Sequence, residues 1–354
     1  MRAWIEELDP GYFALVMASG IISVGADLAG RPVLSRIALG VTGAGFVVLL
    51  AAYAARLVLY PGRVRASLKV PGTAMGYFTL VAGADVAAVR VLMAGHSAVA
   101  LGLAAGAGVA WLALTYGLPW SVVVSARHPV LAEINGTWLI WVVATQSLSV
   151  VASALTANDP WPALEPALGP VAVVFWGVGV MLYLVLIAII FLRLLLVEVT
   201  AAEMGPAYWI AMGATAISVR AAAGILAMHD RAGAALEHGL RPFVLGLSVV
   251  LWSFGTWWIP LLVLFGVWRH GLRRYPLAYE PRLWSVVFPL GMYTVASYTL
   301  GHAGPGLGFM ASIARVWVWV GTAAWAGVLG LMAAHHLESG SQRRRPTGPA
   351  AGTA

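Results

Sequence analysis

The sequence predicts an all-α integral membrane protein with ten transmembrane helices. Of the 354 residues, 61% are hydrophobic and only 10% are charged. Apolar runs long enough to cross a bilayer recur along the whole chain, and no polar stretch between them is long enough for a soluble domain. We therefore expect one transmembrane domain over residues 1–338, followed by a disordered tail over residues 339–354 that is short and poor in hydrophobic residues.

The predicted spans follow the apolar runs in chain order. They are Pro10–Ala29, Leu34–Tyr60, Pro71–Met93, Ser97–Gly117, Asn135–Ala154, Ala167–Val197, Pro206–Met228, Gly239–Trp268, Arg282–Gly301 and Gly306–His336. The third-to-fourth and ninth-to-tenth connections are short and fall on the same side. The chain is therefore predicted to form five helical hairpins in series.

Odd-numbered and even-numbered spans differ in composition. The odd spans mix small residues and hydroxyls with a Gly, Gln or Pro near the middle, as in GYFTLVAGADVAA. The second, sixth and eighth are long runs of Leu, Val and Ile, as in VMLYLVLIAIIFLRLLLV. Small residues let helices approach closely within a bilayer. We therefore expect the odd helices to form an inner ring and the even helices an outer layer against the lipid.

Charge distribution sets the expected orientation. The formal charge is +7, and most of the Lys and Arg residues lie in loops and at the ends of spans, which topology explains better than a nucleic-acid partner. Their bias toward one set of loops places both termini in the cytoplasm, in a multi-pass protein of the plasma (cytoplasmic) membrane, here a bacterial inner membrane. The absence of cysteine excludes disulfides, thiolate metal sites and cysteine nucleophiles.

The ninth span, PRLWSVVFPLGMYTVASYTLG, holds Phe288 directly before Pro289, with Gly291 close behind. A proline inside a helix removes one backbone donor and kinks the helix, which lipid tolerates only where protein or a water-filled cavity satisfies the freed group. The span is therefore expected to face protein or a pore. Phe288 either sits at the kink of a pore-lining helix or fills a gap in a packed one.

Four motifs carry a resemblance to a known family. They are LDPGYFALVMASGIIS, NGTWLIWVVATQSLSVV, PAYWIAMGATAIS and WSVVFPLGMYTVAS, in this order along the chain. Together they resemble the tellurite-resistance and C4-dicarboxylate transporter family, which includes plant slow anion channels and fungal malate and sulfite carriers. The similarity spans essentially the whole chain.

The resemblance implies a function and an assembly. Members of that family are trimers, and each protomer has its own pore ringed by five inner helices. An aromatic residue on the ninth helix closes that pore, and Phe288 occupies the matching position. The resemblance thus implies transport of anions, either small inorganic anions or C4-dicarboxylates such as malate, and no enzymatic activity.

Three ionisable residues lie deep in predicted spans, where each requires a partner or a role. Asp85 and Arg220 both fall roughly 21 Å into their helices, at about 1.5 Å per residue. Either they pair across the bundle, or Arg220 presents positive charge to a passing anion. Arg90 lies nearer the outer end, where it anchors its helix or attracts anions at the mouth.

Uncharged polar residues on the odd spans are further candidates for lining the path. They form a weakly polar set, suited to the fast passage of anions because binding must be weak enough for release. Hydroxyls also often bond back to their own helix. The set comprises Ser19, Ser23, Thr137, Gln146, Tyr293 and Ser297.

Two other functions compete with a channel. A proton-coupled dicarboxylate or tellurite-related carrier requires a titratable group in the path, and Asp85 is the only carboxylate deep in a span. A membrane redox protein requires facing histidines within the bundle, whereas all eight histidines fall at predicted loops or helix ends. We therefore expect no cofactor and no metal, and small anions and the lipid bilayer as partners.

Overall fold

The computed structural model describes residues 2–125, 130–158, 161–228 and 239–344. The structure is 88% helical, and the described part holds no strand. Ten helices are long and apolar enough to cross a membrane, which confirms the predicted fold class. Numbered α1 to α10, they are Pro10–Leu28, Pro32–Leu59, Pro71–Met93, Ser97–Ser121, Gly136–Asn158, Glu165–Leu196, Pro206–Ala227, Arg241–Leu272, Pro281–Gly301 and Gly308–Glu338.

Several helices extend beyond their apolar segments. The fourth continues as a helix to Ser125, and the last continues to Arg344. Residues 339–344, where we expected the disordered tail to begin, are thus part of this helix. Helical hydrogen bonding does not stop where the apolar sequence ends. The rest of the predicted tail lies outside the described residues. So do three of the basic residues, Arg127, Arg231 and Arg345, and three of the eight histidines, His128, His229 and His238.

The ten helices contact one another in a regular order. Each odd-numbered helix packs against the even-numbered helix that follows it. Each odd-numbered helix also contacts the next odd-numbered one, and α9 contacts α1. Between 78% and 89% of the most apolar window of each odd helix is buried, against 17% to 39% for the even helices. The odd helices therefore form the interior of the fold.

Each odd helix begins with, or passes early through, a single 3₁₀ turn. These turns are Pro10–Phe13, Met75–Tyr77, Gly136–Trp138, Pro206–Trp209 and Pro281–Leu283. Two of them are capped by side chains: Asp9 Oδ1 accepts from Gly11 N at 2.7 Å, and Asn135 Oδ1 accepts from Thr137 N at 2.9 Å. We call the face where the odd helices begin the amino face and the face where they end the carboxyl face.

Glycine allows two inner helices to touch at the amino face. A Cβ atom on Gly136 of α5 would overlap the backbone of Ala207 at the start of α7. No side chain larger than hydrogen therefore fits at Gly136 without moving one helix.

The centre of α9 is also closely packed. Pro289 lies within the helix Trp284–Gly301 and cannot supply the backbone donor that Ser285 would otherwise receive. A Cβ atom on Gly213 of α7 would lie 2.7 Å from Pro289 Cγ, so the proline ring takes the space that a side chain would need. Gly291 packs just as closely against Ile21 of α1. These contacts hold α9 against both of its inner neighbours.

Candidate functional site

Two large cavities lie at opposite ends of the inner helices. The carboxyl-face cavity has a volume of about 440 Å³ and is lined by all five odd helices near their last turns. The amino-face cavity has a volume of about 570 Å³ and is lined by the first residues of the inner helices together with neighbouring loops.

The carboxyl-face cavity contains two arginines in different situations. Arg241, at the start of α8, donates through Nη1 to the carbonyl oxygen of Leu226 at 2.8 Å. Arg220 of α7 makes no hydrogen bond or ion pair with any residue in the described part of the chain. The guanidinium of Arg220 packs against Gly224, where a Cβ atom would lie 3.1 Å from Nη1. An unpaired cation therefore lines this cavity.

A smaller space of about 20 Å³ adjoins this cavity, and we call it the central void. It shares Val24, Val89 and Arg220 with the carboxyl-face cavity, so the two are neighbours along the bundle. All five odd helices contribute to it. Its lining is Ile21, Val24, Asp85, Val86, Val89, Ser147, Val150, Ile217, Arg220, Met292 and Val295.

The structure brings Asp85 and Arg220 to the same void without an ion pair between them. Ser147 Oγ donates to Asp85 Oδ2 at 2.6 Å, whereas Asp85 Oδ1 has no hydrogen-bond partner among the described residues. Of the two alternatives left open by the sequence, direct pairing is therefore wrong for this structure. The reason is geometric: Ser147 on α5 reaches the carboxylate, and Arg220 lies where the void meets the larger cavity.

Arg90 is placed differently from Arg220. Its Nε donates to Ser23 Oγ and its Nη2 to Ser35 Oγ, both at 3.0 Å. Asp27 lies 3.6 Å from Nη2. Arg90 lines none of the cavities described here, and it ties α3 to α1 and α2. Ser23, another candidate for lining, belongs to the same network.

Four other polar candidates also contact outer helices. Ser19 accepts from Trp325 of α10, and Ser297 accepts from Trp252 of α8. Gln146 Nε2 donates to a backbone oxygen of α6 at 3.1 Å, and Tyr293 OH lies 2.8 Å from Thr256 Oγ1 of α8. These contacts join inner to outer helices. Residues that the sequence predicted to line the path therefore help to pack one helix against another.

A second small pocket, of about 30 Å³, lies at the amino end of the inner helices. We call it the amino-side pocket, and it includes Thr137, a predicted lining residue. Asp9, Arg282 and Ser285 also line it, and Arg282 lines the amino-face cavity as well. The two spaces are therefore neighbours at this end of the bundle.

Phe288 lies between the two small spaces along α9. Ser285 lines the amino-side pocket and Met292 lines the central void, and Phe288 is between them in the same helix. Its side chain is only 2% exposed, and it lines none of the four spaces. Phe288 therefore lies at a level of α9 between the residues that line the amino-side pocket and those that line the central void.

Loop residues at the amino-face cavity form ion pairs with outer helices. Arg193 of α6 lies 3.4 Å from Glu203, and Arg269 of α8 lies 3.8 Å from Glu280. The backbone N–H and the hydroxyl of Thr200 each donate to Glu203 Oε2 at 2.9 Å. These hydrogen bonds, with the nearby charge of Arg193, hold the pKa of Glu203 below its usual range.

The described histidines lie in loops or near the ends of the apolar helical segments. They are His96, His270, His302, His335 and His336. No group of three or more potential ligands that could hold a metal occurs among the described residues. His302 Nδ1 lies 2.7 Å from the carbonyl oxygen of Tyr298 at the rim of the carboxyl-face cavity.

Sequence reasoning did not single out two charged residues of the amino-side pocket. Asp9 and Arg282 were not among the predicted site residues, yet both line this pocket. A signal was available, because a short turn followed by an aromatic residue recurs at the start of each odd helix. The repeats read PGYF, MGYF, NGTW, PAYW and PRLW.

Comparison with known proteins agrees with this architecture. A family model described as voltage-dependent anion channel matches residues 7–333, nearly the whole chain. The protein belongs to this family. The match confirms the resemblance seen in the sequence motifs and makes the chain a multi-pass membrane transporter of the voltage-dependent anion channel family.

Relatives of the chain include proteins from bacteria and archaea. An uncharacterized membrane protein of Mycobacterium tuberculosis is 47% identical over 156 residues, which is 44% of this chain and 77% of the relative. Two uncharacterized transporters of Methanocaldococcus jannaschii are 25% and 24% identical. The matches cover 83% and 84% of this chain and 84% and 86% of the relatives, respectively.

Proposed function

We propose that the protein conducts anions across the membrane along the axis of the five odd helices. The observation that carries this proposal is the series of spaces on those helices: a cavity at each face, a small space next to each cavity, and Phe288 on α9 between residues of the two small spaces. Membership of the voltage-dependent anion channel family supports the same function.

In this proposal Phe288 is the gate. Phe288 is buried and lies on α9 between Ser285 of the amino-side pocket and Met292 of the central void, and Pro289 and Gly291 hold the helix close to its inner neighbours. Rotation of one side chain, or a small shift of α9, joins the two spaces. The closed path agrees with a resting state that does not conduct.

Positive groups at both ends make the path suited to anions. Arg220 lines the central void and the carboxyl-face cavity, and Arg282 lines both spaces at the amino end. The amino ends of the inner helices also meet at the amino face, and helix amino ends carry partial positive charge. An anion therefore meets favourable potential on each side of Phe288.

The wider setting is part of the proposal. We place both termini in the cytoplasm of a bacterium, with the amino face toward the cytoplasm, because Lys and Arg favour that side. Three protomers assemble through their outer helices, and each keeps its own path. The substrates are small inorganic anions or C4-dicarboxylates, and the part of the tail outside the described residues lies in the cytoplasm.

A proton-coupled carrier is the second candidate, and Asp85 favours it. The carboxyl group lines the central void, and Arg220 does not neutralise it through an ion pair. In such a carrier Asp85 takes up a proton with each anion. Asp85→Asn then abolishes accumulation driven by a pH gradient, whereas a channel retains passive flux.

The deciding experiment is anion current through purified protein in planar bilayers. Phe288→Ala is expected to raise current at least about tenfold, since removing the ring connects the spaces on either side. Phe13→Ala is the matched control, because Phe13 is equally buried on an inner helix but packs against Phe46 and Tyr53 of α2. Both variants lose a buried ring, at a cost of about 3–5 kcal/mol. Equal currents in wild type and Phe288→Ala would contradict the gate.

A further inference from the structure

The central void presents a hydrogen-bond acceptor that the described residues do not satisfy. Asp85 is 1% exposed, and its Oδ1 atom has no partner. Buried polar atoms are nearly always paired, so an unpaired one that lines a cavity marks a place where a ligand or water binds. Whatever binds there must donate a hydrogen bond to Oδ1.

This requirement holds when Asp85 is ionised and when its proton lies on Oδ2, the oxygen next to Ser147. Ser147 Oγ lies 2.6 Å from Asp85 Oδ2 and 2.8 Å from the carbonyl oxygen of Ala144, but the hydroxyl has only one proton. If Ser147 donates to an ionised Asp85, Oδ1 is an acceptor. If Ser147 donates to Ala144, Asp85 carries its proton on Oδ2 and donates it to Ser147. Oδ1 is then a carbonyl-like acceptor. A proton on Oδ1 would instead make that atom a donor, and the permeability comparison below would then show no preference for bicarbonate.

Arg220 presents the opposite requirement. Its guanidinium offers only donors and lines both the void and the carboxyl-face cavity. Apart from Ser147 and these two charged residues, the void is lined by apolar side chains. A ligand that satisfies the site must therefore offer charged acceptors to Arg220 and a donor to Asp85.

The volumes of the central void and the carboxyl-face cavity determine which end of such a ligand lies in each space. The void, at about 20 Å³, has room for roughly one water-sized group, whereas the adjoining cavity measures about 440 Å³. The charged oxygens therefore lie on the cavity side, where a planar oxyanion group can accept two bonds from Arg220. Only a hydroxyl enters the void.

We infer that this site favours small oxyanions that carry a hydroxyl group, of which bicarbonate is the simplest, over oxyanions that carry none. The inference rests on the proposed conduction path and names its substrate class. Nitrate is the matched comparison, because it shares the charge and the planar, three-oxygen shape of bicarbonate but has no hydrogen. A nitrate oxygen would face Asp85 Oδ1, and two acceptors repel.

The test measures the permeability ratio of bicarbonate to nitrate from reversal potentials, in protein that carries Phe288→Ala to hold the path open. The expected ratio is well above one. Asp85→Leu, which removes the acceptor, and Asp85→Asn, whose amide can turn a donor toward nitrate, each lower it about tenfold, since one hydrogen bond to a charged group is at stake. Asp27→Asn is the control, because Asp27 lies near Arg90 and lines none of these spaces, and it leaves the ratio unchanged.

Failure of the inference and failure of the proposed function give different results. A ratio of one or less with intact Asp85 overturns the inference even if no Asp85 variant folds. An unchanged ratio in the Asp85 variants also overturns it, and would mean that Oδ1 binds only water. Absence of any anion current in the Phe288→Ala protein overturns the conduction path itself.

Discussion

The hydroxyl oxygen of Ser147 lies 2.6 Å from a carboxylate oxygen of Asp85, which joins α5 to α3 inside the bundle. The contact gives Asp85 a neutral partner, although a cation, Arg220, lines the same void. A carboxyl group held in this way keeps one oxygen for an incoming group. An ion pair would instead occupy both the carboxylate and the guanidinium.

Ser147→Ala is expected to destabilise the fold. It leaves both carboxylate oxygens of Asp85 buried without a protein donor, which costs about 1–3 kcal/mol. Thermal unfolding in detergent measures the loss. Ser153→Ala is the control, since Ser153 bonds only to Val150 of its own helix, and an equal loss in both variants would contradict the role given to Ser147.

Arg220→Leu is expected to lower anion current about tenfold or more while the protein accumulates normally. The guanidinium has no hydrogen-bond or ion-pair partner in the described part of the chain, so its removal breaks no polar contact and relieves the cost of a partly buried charge. Current in planar bilayers and the yield of purified protein are measured together. Loss of yield with full current in the protein that remains would assign Arg220 a structural role.

Arg90→Leu is expected to have the opposite effect to Arg220→Leu: a loss of stability without a change in anion selectivity. It leaves Ser23, Ser35 and Asp27 without their common donor. Asp27 is exposed to water, but the two serine hydroxyls are buried, and losing a buried hydrogen-bond partner costs about 1–3 kcal/mol. Yield and melting temperature are expected to fall, and the bicarbonate-to-nitrate ratio of the surviving protein is expected not to change.

The fold could be predicted from the sequence because lipid imposes simple rules on it. A helix must be about 20 residues long and apolar, and helices that pack inside must carry small residues. Both rules can be read without coordinates. They predict the ten spans and the contrast between odd and even helices. They do not predict the helical extension to Arg344, since polar residues can continue a helix outside the membrane.

The site could be predicted only in part, because a sequence does not show which side of a helix faces the axis. Asp85 and Ser147 are both polar residues on inner helices and meet at the void, whereas Gln146, next to Ser147, turns outward to α6. A difference of one residue rotates a side chain by about 100°. Nor does the sequence show that tryptophans of the outer helices point toward Ser19 and Ser297 and donate hydrogen bonds to them.

Gly136→Ala is expected to destabilise the bundle at its amino face. The added methyl group would overlap the backbone of Ala207, so α5 and α7 must separate, at a typical cost of about 1–3 kcal/mol. Melting temperature in detergent checks this. Gly117→Ala in α4 is the control: a Cβ atom there meets nothing within 4 Å, and alanine favours helix. A similar loss at both positions would contradict the close contact.

Glu203→Gln tests the pH dependence of the loop before α7. Because the folded state lowers the pKa of Glu203, the ionised carboxylate adds stability above the pKa of the unfolded chain, and this stability is lost as the pH falls through the folded pKa. The variant should therefore melt below wild type at neutral pH, and the two should converge in acid. The difference should be small, because the side chain is 46% exposed and its ion pair with Arg193 is screened.

Thr200→Val separates the contributions to this effect. It removes the hydroxyl donor but keeps the backbone N–H, which is the larger cause of the lowered pKa of Glu203. Wild type and Thr200→Val should then show the same kind of acid transition, with the variant losing its stability at a slightly higher pH. If Glu203→Gln and wild type instead differed equally at all pH values, the carboxylate would stabilise the loop through its shape and hydrogen bonds and not through its charge.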